Sequence, residues 1–172
     1  MIVVAILLAA TFTRLLDATY SNIARGGDVI VSAWLINRLI SALFIFWGYR
    51  GFIISDQEIT FAGFVVLLVP ITFLFLQSQA LSATVIDPRT KLGENFPVRK
   101  RYFALFAAMT ALGNALATVV WNIPTSLAGL LINVAIFISV YFASSRIAHI
   151  GLVSAHYAVL AIAIVPPLVR TL

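Results

Sequence analysis

Residues Asp87–Arg101 read DPRTKLGENFPVRKR, a long hydrophilic run in a chain that is apolar on both sides of it. The run contains five of the eleven Lys and Arg residues and only two acids, Asp87 and Glu94. Short basic loops stay on the cytoplasmic side of a membrane, because positive charge is hard to move across it. We therefore expect a cytoplasmic loop over 87–101 that fixes the direction of each flanking helix.

The composition predicts an all-α integral membrane protein. The chain is 62% hydrophobic and 10% charged, with a mean hydropathy of +1.08, whereas a soluble domain has about 45–50% apolar and about 25% charged residues. The basic residues lie at the ends of apolar runs, so the net charge of +5 indicates anionic membrane lipid rather than nucleic acid as a partner. The chain has no cysteine, which excludes disulfides and thiolate metal sites.

The apolar runs predict six transmembrane helices in one domain, over residues 2–18, 29–49, 59–86, 102–121, 125–143 and 147–169. A crossing needs about 20 residues, and the first run is short because Arg14 and Asp17 interrupt it. Five spans plus one interfacial or re-entrant helix are therefore the alternative. If the basic connections at Arg25, 87–101 and Arg146 are cytoplasmic, both ends of a six-span chain lie outside. Arg50 and Arg170 do not fit this map.

Single residues predict local features of these helices. Asp28 is placed to cap the second helix, and Pro70 is expected to kink the third. Pro124 is expected to open the fifth span after a tight turn. Trp34 and Trp47 stand towards opposite ends of the second span, which is typical of interfacial aromatic belts.

Small residues form one stripe on the fourth span. Their spacings of four, three and four residues put them on one helical face. Such a face allows close approach of another helix where lipid provides no hydrophobic drive. The predicted packing face consists of Ala104, Ala108, Ala111 and Ala115.

Arg38, beside Asn37 in the middle of the second span, is the leading functional candidate. A charge inside a membrane costs about 2.5–3.5 kcal/mol on insertion scales, and it therefore indicates a site or a structural partner. As a site, Arg38 would line a polar cavity or bind an anionic group. As a structural residue, it would pair with Gln77, Gln79, Asn114 or Asp17. The candidates for a polar transport site are Arg38, Asn37, Gln77, Gln79, Asn114 and Asn133.

The two histidines, His149 and His156, lie seven residues apart on the sixth span. They are about 10 Å apart along the helix, too far to hold one metal ion together. His156 is the candidate for haem or pigment ligation, although no cofactor is required by the sequence. Metalloprotease, serine hydrolase and nucleotide-binding motifs are missing, so we do not expect an enzyme.

Two functions fit this pattern. The first is a small transport or channel protein with a polar intramembrane site around Arg38. The second is a non-catalytic subunit of a larger membrane complex, with a haem- or pigment-binding subunit as a special case. Either protein would lie in a bacterial inner membrane or an equivalent one, as a homo-oligomer or with partner membrane subunits.

Overall fold

A computed structural model describes residues 2–54, 60–82, 92–121 and 126–171. These described residues form six α-helices. Five of the helices are long and apolar enough to cross a membrane, and the described residues include no strand. The prediction of an all-α, multi-pass helical bundle is confirmed. The helices are α1 Ile2–Ala24, α2 Val29–Ile54, α3 Phe61–Leu81, α4 Leu92–Trp121, α5 Leu127–Phe142 and α6 Arg146–Thr171.

The shortest helix is α5, and not the first segment that the sequence left in doubt. α1 continues through Arg14 and Asp17 and reaches 23 residues, enough for a crossing. Those two side chains form no ion pair with each other in the described helix. α5 has 16 residues, a length of about 24 Å at 1.5 Å per residue. This is less than the hydrocarbon thickness of about 30 Å.

A tight turn joins α1 to α2. Gly26 has a φ of 62°, a left-handed conformation that glycine adopts without strain. Asn22 closes the turn, since its Nδ2 donates to the Asp28 carbonyl at 3.0 Å and to Ser32 Oγ at 2.7 Å. The amide of Ile30 donates to Asp28 Oδ1 at 2.7 Å. Asp28 therefore caps α2, as its position in the sequence predicted.

Several helix bounds differ from the predicted ones. α2 continues to Ile54, and α4 begins at Leu92 and includes charged residues that the sequence assigned to the basic loop. Helix outside the hydrocarbon needs no apolar face to form, so hydropathy alone places its ends poorly. α3 ends at Leu81 with Ser82 as its C-cap. The rest of the predicted loop, 87–91, and the turn at Asn122–Pro124 lie outside the described residues.

The contact between α3 and α4 depends on Gly113. α3 runs through Pro70 without interruption, and Pro70 is buried. A Cβ on Gly113 would stand 3.1 Å from both N and Cδ of Pro70, so the two helices are in close contact there. Whether Pro70 bends the helix stays a prediction. On the proposed packing face of α4, Ala104, Ala108 and Ala111 are buried and Ala115 is half-buried.

The helices close into a ring in the order α1, α2, α6, α5, α4, α3, and α3 returns to α1. α2 also contacts α3 and α4 across the ring. Three aromatic side chains fill part of the centre, each at most 1% exposed: Trp34, Phe103 and Phe137. Their ring centroids are 5.4 to 5.9 Å apart, a normal distance for aromatic pairs. Trp34 is thus a core residue packed between helices, and its predicted depth at the membrane interface stays a prediction.

Polar contacts join the helices at one end of the bundle. Arg146 Nη1 and Asp28 Oδ2 form an ion pair at 2.7 Å between the starts of α6 and α2. Lys100 Nζ, near the start of α4, donates to the carbonyl of Ala143 at the end of α5. These residues lie in or beside the connections that the charge pattern assigns to the cytoplasm. The sidedness itself remains a prediction.

Candidate functional site: a buried arginine cluster

Arg38 lies inside the ring of helices and is 3% exposed. It belongs to the part of α2, Val29–Gly48, that is apolar enough to cross a membrane. Arginine keeps its charge in proteins and carries five N–H donors. The surrounding side chains must therefore satisfy a cation and its donors away from water.

Asn37, the preceding residue, makes the shortest contacts with this cation. Asn37 Oδ1 accepts from Arg38 Nη2 at 2.6 Å and from Arg38 Nε at 3.2 Å. Because a guanidinium has only donors, the oxygen of the amide must face it. The other end of the amide, Asn37 Nδ2, is buried and has no partner in the structure.

Gln77 brings α3 into the cluster. Its Oε1 accepts from Arg38 Nη1 at 3.5 Å, which is a long hydrogen bond. Its Nε2 donates to Thr110 Oγ1 on α4 and, at 3.4 Å, to the carbonyl of Phe106. The Thr110 hydroxyl in turn donates to that carbonyl at 2.9 Å. Gln77 is therefore held more firmly by α4 than by Arg38.

His156 and Phe137 enclose the guanidinium from α6 and α5. Arg38 Nη2 is 3.1 Å from Nδ1 and 2.9 Å from Nε2 of His156. An atom nearly equidistant from both nitrogens lies over the ring rather than along one lone pair. Arg38 Cζ stands 4.7 Å from the centroid of Phe137, within cation–π range. Both rings thus stack on the cation, and neither carries a negative charge.

No carboxylate contacts Arg38 within the part of the chain that the structure describes. Of the six acids in the sequence, only Asp17 and Asp28 have described side chains. Asp28 pairs with Arg146, and Asp17 is exposed on α1. The predicted pair between Arg38 and Asp17 is therefore wrong. Among the described residues the cluster keeps a net charge of +1.

The other predicted site residues lie outside these contacts. Gln79, Asn114 and Asn133 are half-buried. Asn133 Oδ1 is buried without a partner. His149 is buried and packs edge-on against Phe96, with ring centroids 5.4 Å apart. Of the six transport candidates, the structure brings together Arg38, Asn37 and Gln77.

Sequence reasoning missed the aromatic and hydroxyl members of the cluster. Trp34, Asn37, Arg38 and Ser41 follow spacings of three, four and seven residues, and this places them on one face of α2. That spacing was the available signal that Trp34 is a core residue. Nothing in one sequence identifies Phe137 or Thr110 as neighbours, because both come from other helices.

Haem or pigment ligation by His156 stays a prediction, since the contacts with Arg38 are made over the face of its ring and do not test where its ring nitrogens are directed. No group of three potential metal ligands occurs among the described residues. Comparison of the chain with protein-family models, with curated proteins and with solved structures found no match.

Proposed function

We propose that this chain is a small membrane transport or channel protein whose solute path passes the Arg38 cluster. The observation that carries the proposal is a fully buried arginine, inside a ring of membrane helices, whose described partners are all neutral. A structural arginine in a membrane normally has a carboxylate or several backbone carbonyls as partners. Arg38 has amide oxygens and aromatic faces instead.

The connections within the cluster also support transport. Among the described contacts, Arg38 reaches α3 through the 3.5 Å hydrogen bond to Gln77, and it reaches α5 and α6 through ring stacking. Contacts of this kind are weaker and less directional than ion pairs. A solute can replace them without separating opposite charges, which keeps the cost of opening the cluster low.

A subunit of a larger membrane complex is the second candidate, and α5 favours it. With 16 residues α5 is short for a crossing, and it exposes several large apolar side chains. A partner chain could cover them. Gentle extraction followed by native mass spectrometry separates the two candidates. A single species or a homo-oligomer supports transport, whereas stable binding of other chains supports the subunit.

Reconstitution into lipid vesicles tests transport directly. We expect the wild-type protein to carry at least one small solute faster than empty vesicles do. The Arg38→Met variant should lose at least about tenfold in flux, equivalent to about 1.4 kcal/mol. Equal flux through both proteins, or no flux for any anionic, neutral or cationic solute, would refute the proposal. The bacterial inner membrane, or an equivalent one, is the expected location.

A further inference from the structure

We infer that the Arg38 cluster binds a small monovalent oxyanion, for which formate, acetate and nitrate are the simplest probes. This inference deepens the proposed transport function by naming its class of solute. It rests on three features of the described residues: an uncompensated charge, unused hydrogen-bond donors, and aromatic walls around both.

The first feature is the uncompensated positive charge of Arg38. Arg38 is 3% exposed, and its described partners, Asn37, Gln77, His156 and Phe137, are all uncharged groups in these contacts. His156 is neutral if either ring nitrogen accepts from Arg38, since arginine can only donate. A buried cation without a counter-charge is expensive. An anion bound beside Arg38 would supply that counter-charge.

The second feature is a set of unused hydrogen-bond donors on Arg38 and on side chains of the same cluster. The five N–H groups of Arg38 meet Asn37 Oδ1, His156 and, at 3.5 Å, Gln77 Oε1. Nη1 carries two hydrogens, and the described acceptors take at most one of them. Asn37 Nδ2 and Trp34 Nε1 are both buried without a partner. Buried donors without an acceptor are rare in folded proteins. A bound ligand could supply the acceptor that the described residues do not provide.

These donors share one face of α2. Trp34 precedes Asn37 and Arg38 by three and four residues, so the three side chains follow one another along the helix surface. Trp34 and Phe137 also meet, with centroids 5.9 Å apart, and Phe137 stacks on the guanidinium. The donors and the cation therefore belong to a single cluster, which suits an acceptor-only ligand.

The cluster also limits the ligand's size and charge. One guanidinium neutralises one negative charge, and the walls are rings of Trp34, Phe103 and Phe137 that offer no second cation. A dianion would remain uncompensated in an apolar site. The unused donors are Nη1 of Arg38 and Nδ2 of Asn37, and the two oxygens of a carboxylate or nitrate can accept from two separate donors with the directed geometry that a spherical halide lacks. The site thus favours a compact monovalent oxyanion over sulfate and chloride.

Thermal unfolding of the purified full-length protein measures this binding. A ligand that binds only the folded state stabilises it by RT ln(1 + L/Kd), where L is the ligand concentration, so the dependence of the melting temperature on ligand concentration gives the dissociation constant. Sodium formate, acetate or nitrate would be titrated at constant ionic strength, with sulfate and chloride as reference salts. We expect saturable binding with dissociation constants below about 10 mM, a free energy near −3 kcal/mol, and at least tenfold weaker binding of sulfate.

Two variants make the test specific. Asn37→Asp puts a carboxylate where the anion would lie, and Arg38→Met removes the cation. Both should weaken formate binding at least tenfold. Asn22→Asp is the matched control, because Asn22 lies at the α1–α2 turn, where its Nδ2 donates to the Asp28 carbonyl and to Ser32 Oγ and not to the Arg38 cluster. In the folded control protein, formate affinity should stay within about twofold of wild type.

The outcomes distinguish this inference from the transport proposal. Saturable oxyanion binding that both variants lose supports the site. Absence of saturable binding in the wild type, or equal binding in Asn37→Asp, overturns it. Vesicle flux of a neutral or cationic solute without oxyanion binding would overturn the oxyanion site and leave transport in place. Oxyanion binding without any flux would keep the site and overturn transport.

Discussion

Asn37 Oδ1 accepts two hydrogen bonds from Arg38, while the amide nitrogen of the same side chain, Nδ2, has no partner. The amide oxygen of Asn37 therefore accepts from the arginine, while the amide nitrogen, Nδ2, is a buried donor without an acceptor. A carboxylate at this position would keep the oxygen contacts and remove the orphan donor. An asparagine binds arginine more weakly than an aspartate at the same position would, because its amide is uncharged. The positive charge of Arg38 is therefore not neutralised by Asn37 and is available to a bound anion.

The stacking of His156 on Arg38 predicts unequal effects of two substitutions. His156→Phe keeps an aromatic ring over the guanidinium, so the melting temperature should change little. His156→Ala removes the ring from a position that is 2% exposed, and it should cost about 3–5 kcal/mol, as large core truncations do. Thermal unfolding of both variants checks this. If the phenylalanine variant is as unstable as the alanine variant, a directional hydrogen bond, and not stacking, holds the pair.

The close contact between α3 and α4 predicts a clash at Gly113. Gly113→Ala places a Cβ 3.1 Å from Pro70, and we expect a loss of about 1–3 kcal/mol in the free energy of unfolding. Gly151→Ala is the matched control, since a Cβ there meets no heavy atom within 4 Å. It should be neutral or stabilise α6 by up to about 1 kcal/mol. Equal unfolding curves for the two variants would contradict the described packing of α3 on α4.

The order of helices in the ring predicts a specific cross-link. The chain has no cysteine, so engineered pairs react without background. Asp28→Cys combined with Arg146→Cys should be joined by a short bifunctional thiol reagent, because the native side chains meet at 2.7 Å and the reagent replaces the length lost with the arginine side chain. Asp28→Cys combined with Ser126→Cys is the control, since Ser126 caps the opposite end of α5. Gel mobility or mass spectrometry detects the linked product. If only the control pair is linked, the order of helices in the ring is contradicted.

The fold class could be predicted from the sequence because hydropathy and helix length are local properties. Asp28 as a cap followed from residue type and position, and so did the existence of six helices. The end of α2 and the start of α4 could not, since a helix can continue beyond the hydrocarbon with no change in hydropathy. The first segment was doubted because of Arg14 and Asp17, yet α1 runs through both and reaches a length sufficient for a crossing.

The candidate site was predictable in part. Arg38 was identified because a charge in an apolar run is costly, and Gln77 because few polar groups were available as partners. Asp17 was a wrong choice of partner, since its exposure depends on how α1 packs and not on its distance along the chain. His156 was recognised as a candidate ligand, but its stacking on Arg38 could not be foreseen. Contacts between helices far apart in sequence require the three-dimensional order of the ring.

The melting temperature of Asn37→Asp shows whether Arg38 lacks a counter-charge in the folded protein. We expect a rise of at least about 2 °C over wild type, the shift that 1 kcal/mol gives at this chain length. Asn22→Asp should fall instead, since Asn22 Nδ2 donates two hydrogen bonds that a carboxylate cannot make. If Asn37→Asp falls as well, Arg38 is already neutralised within the chain, and the account of an open cationic site is contradicted.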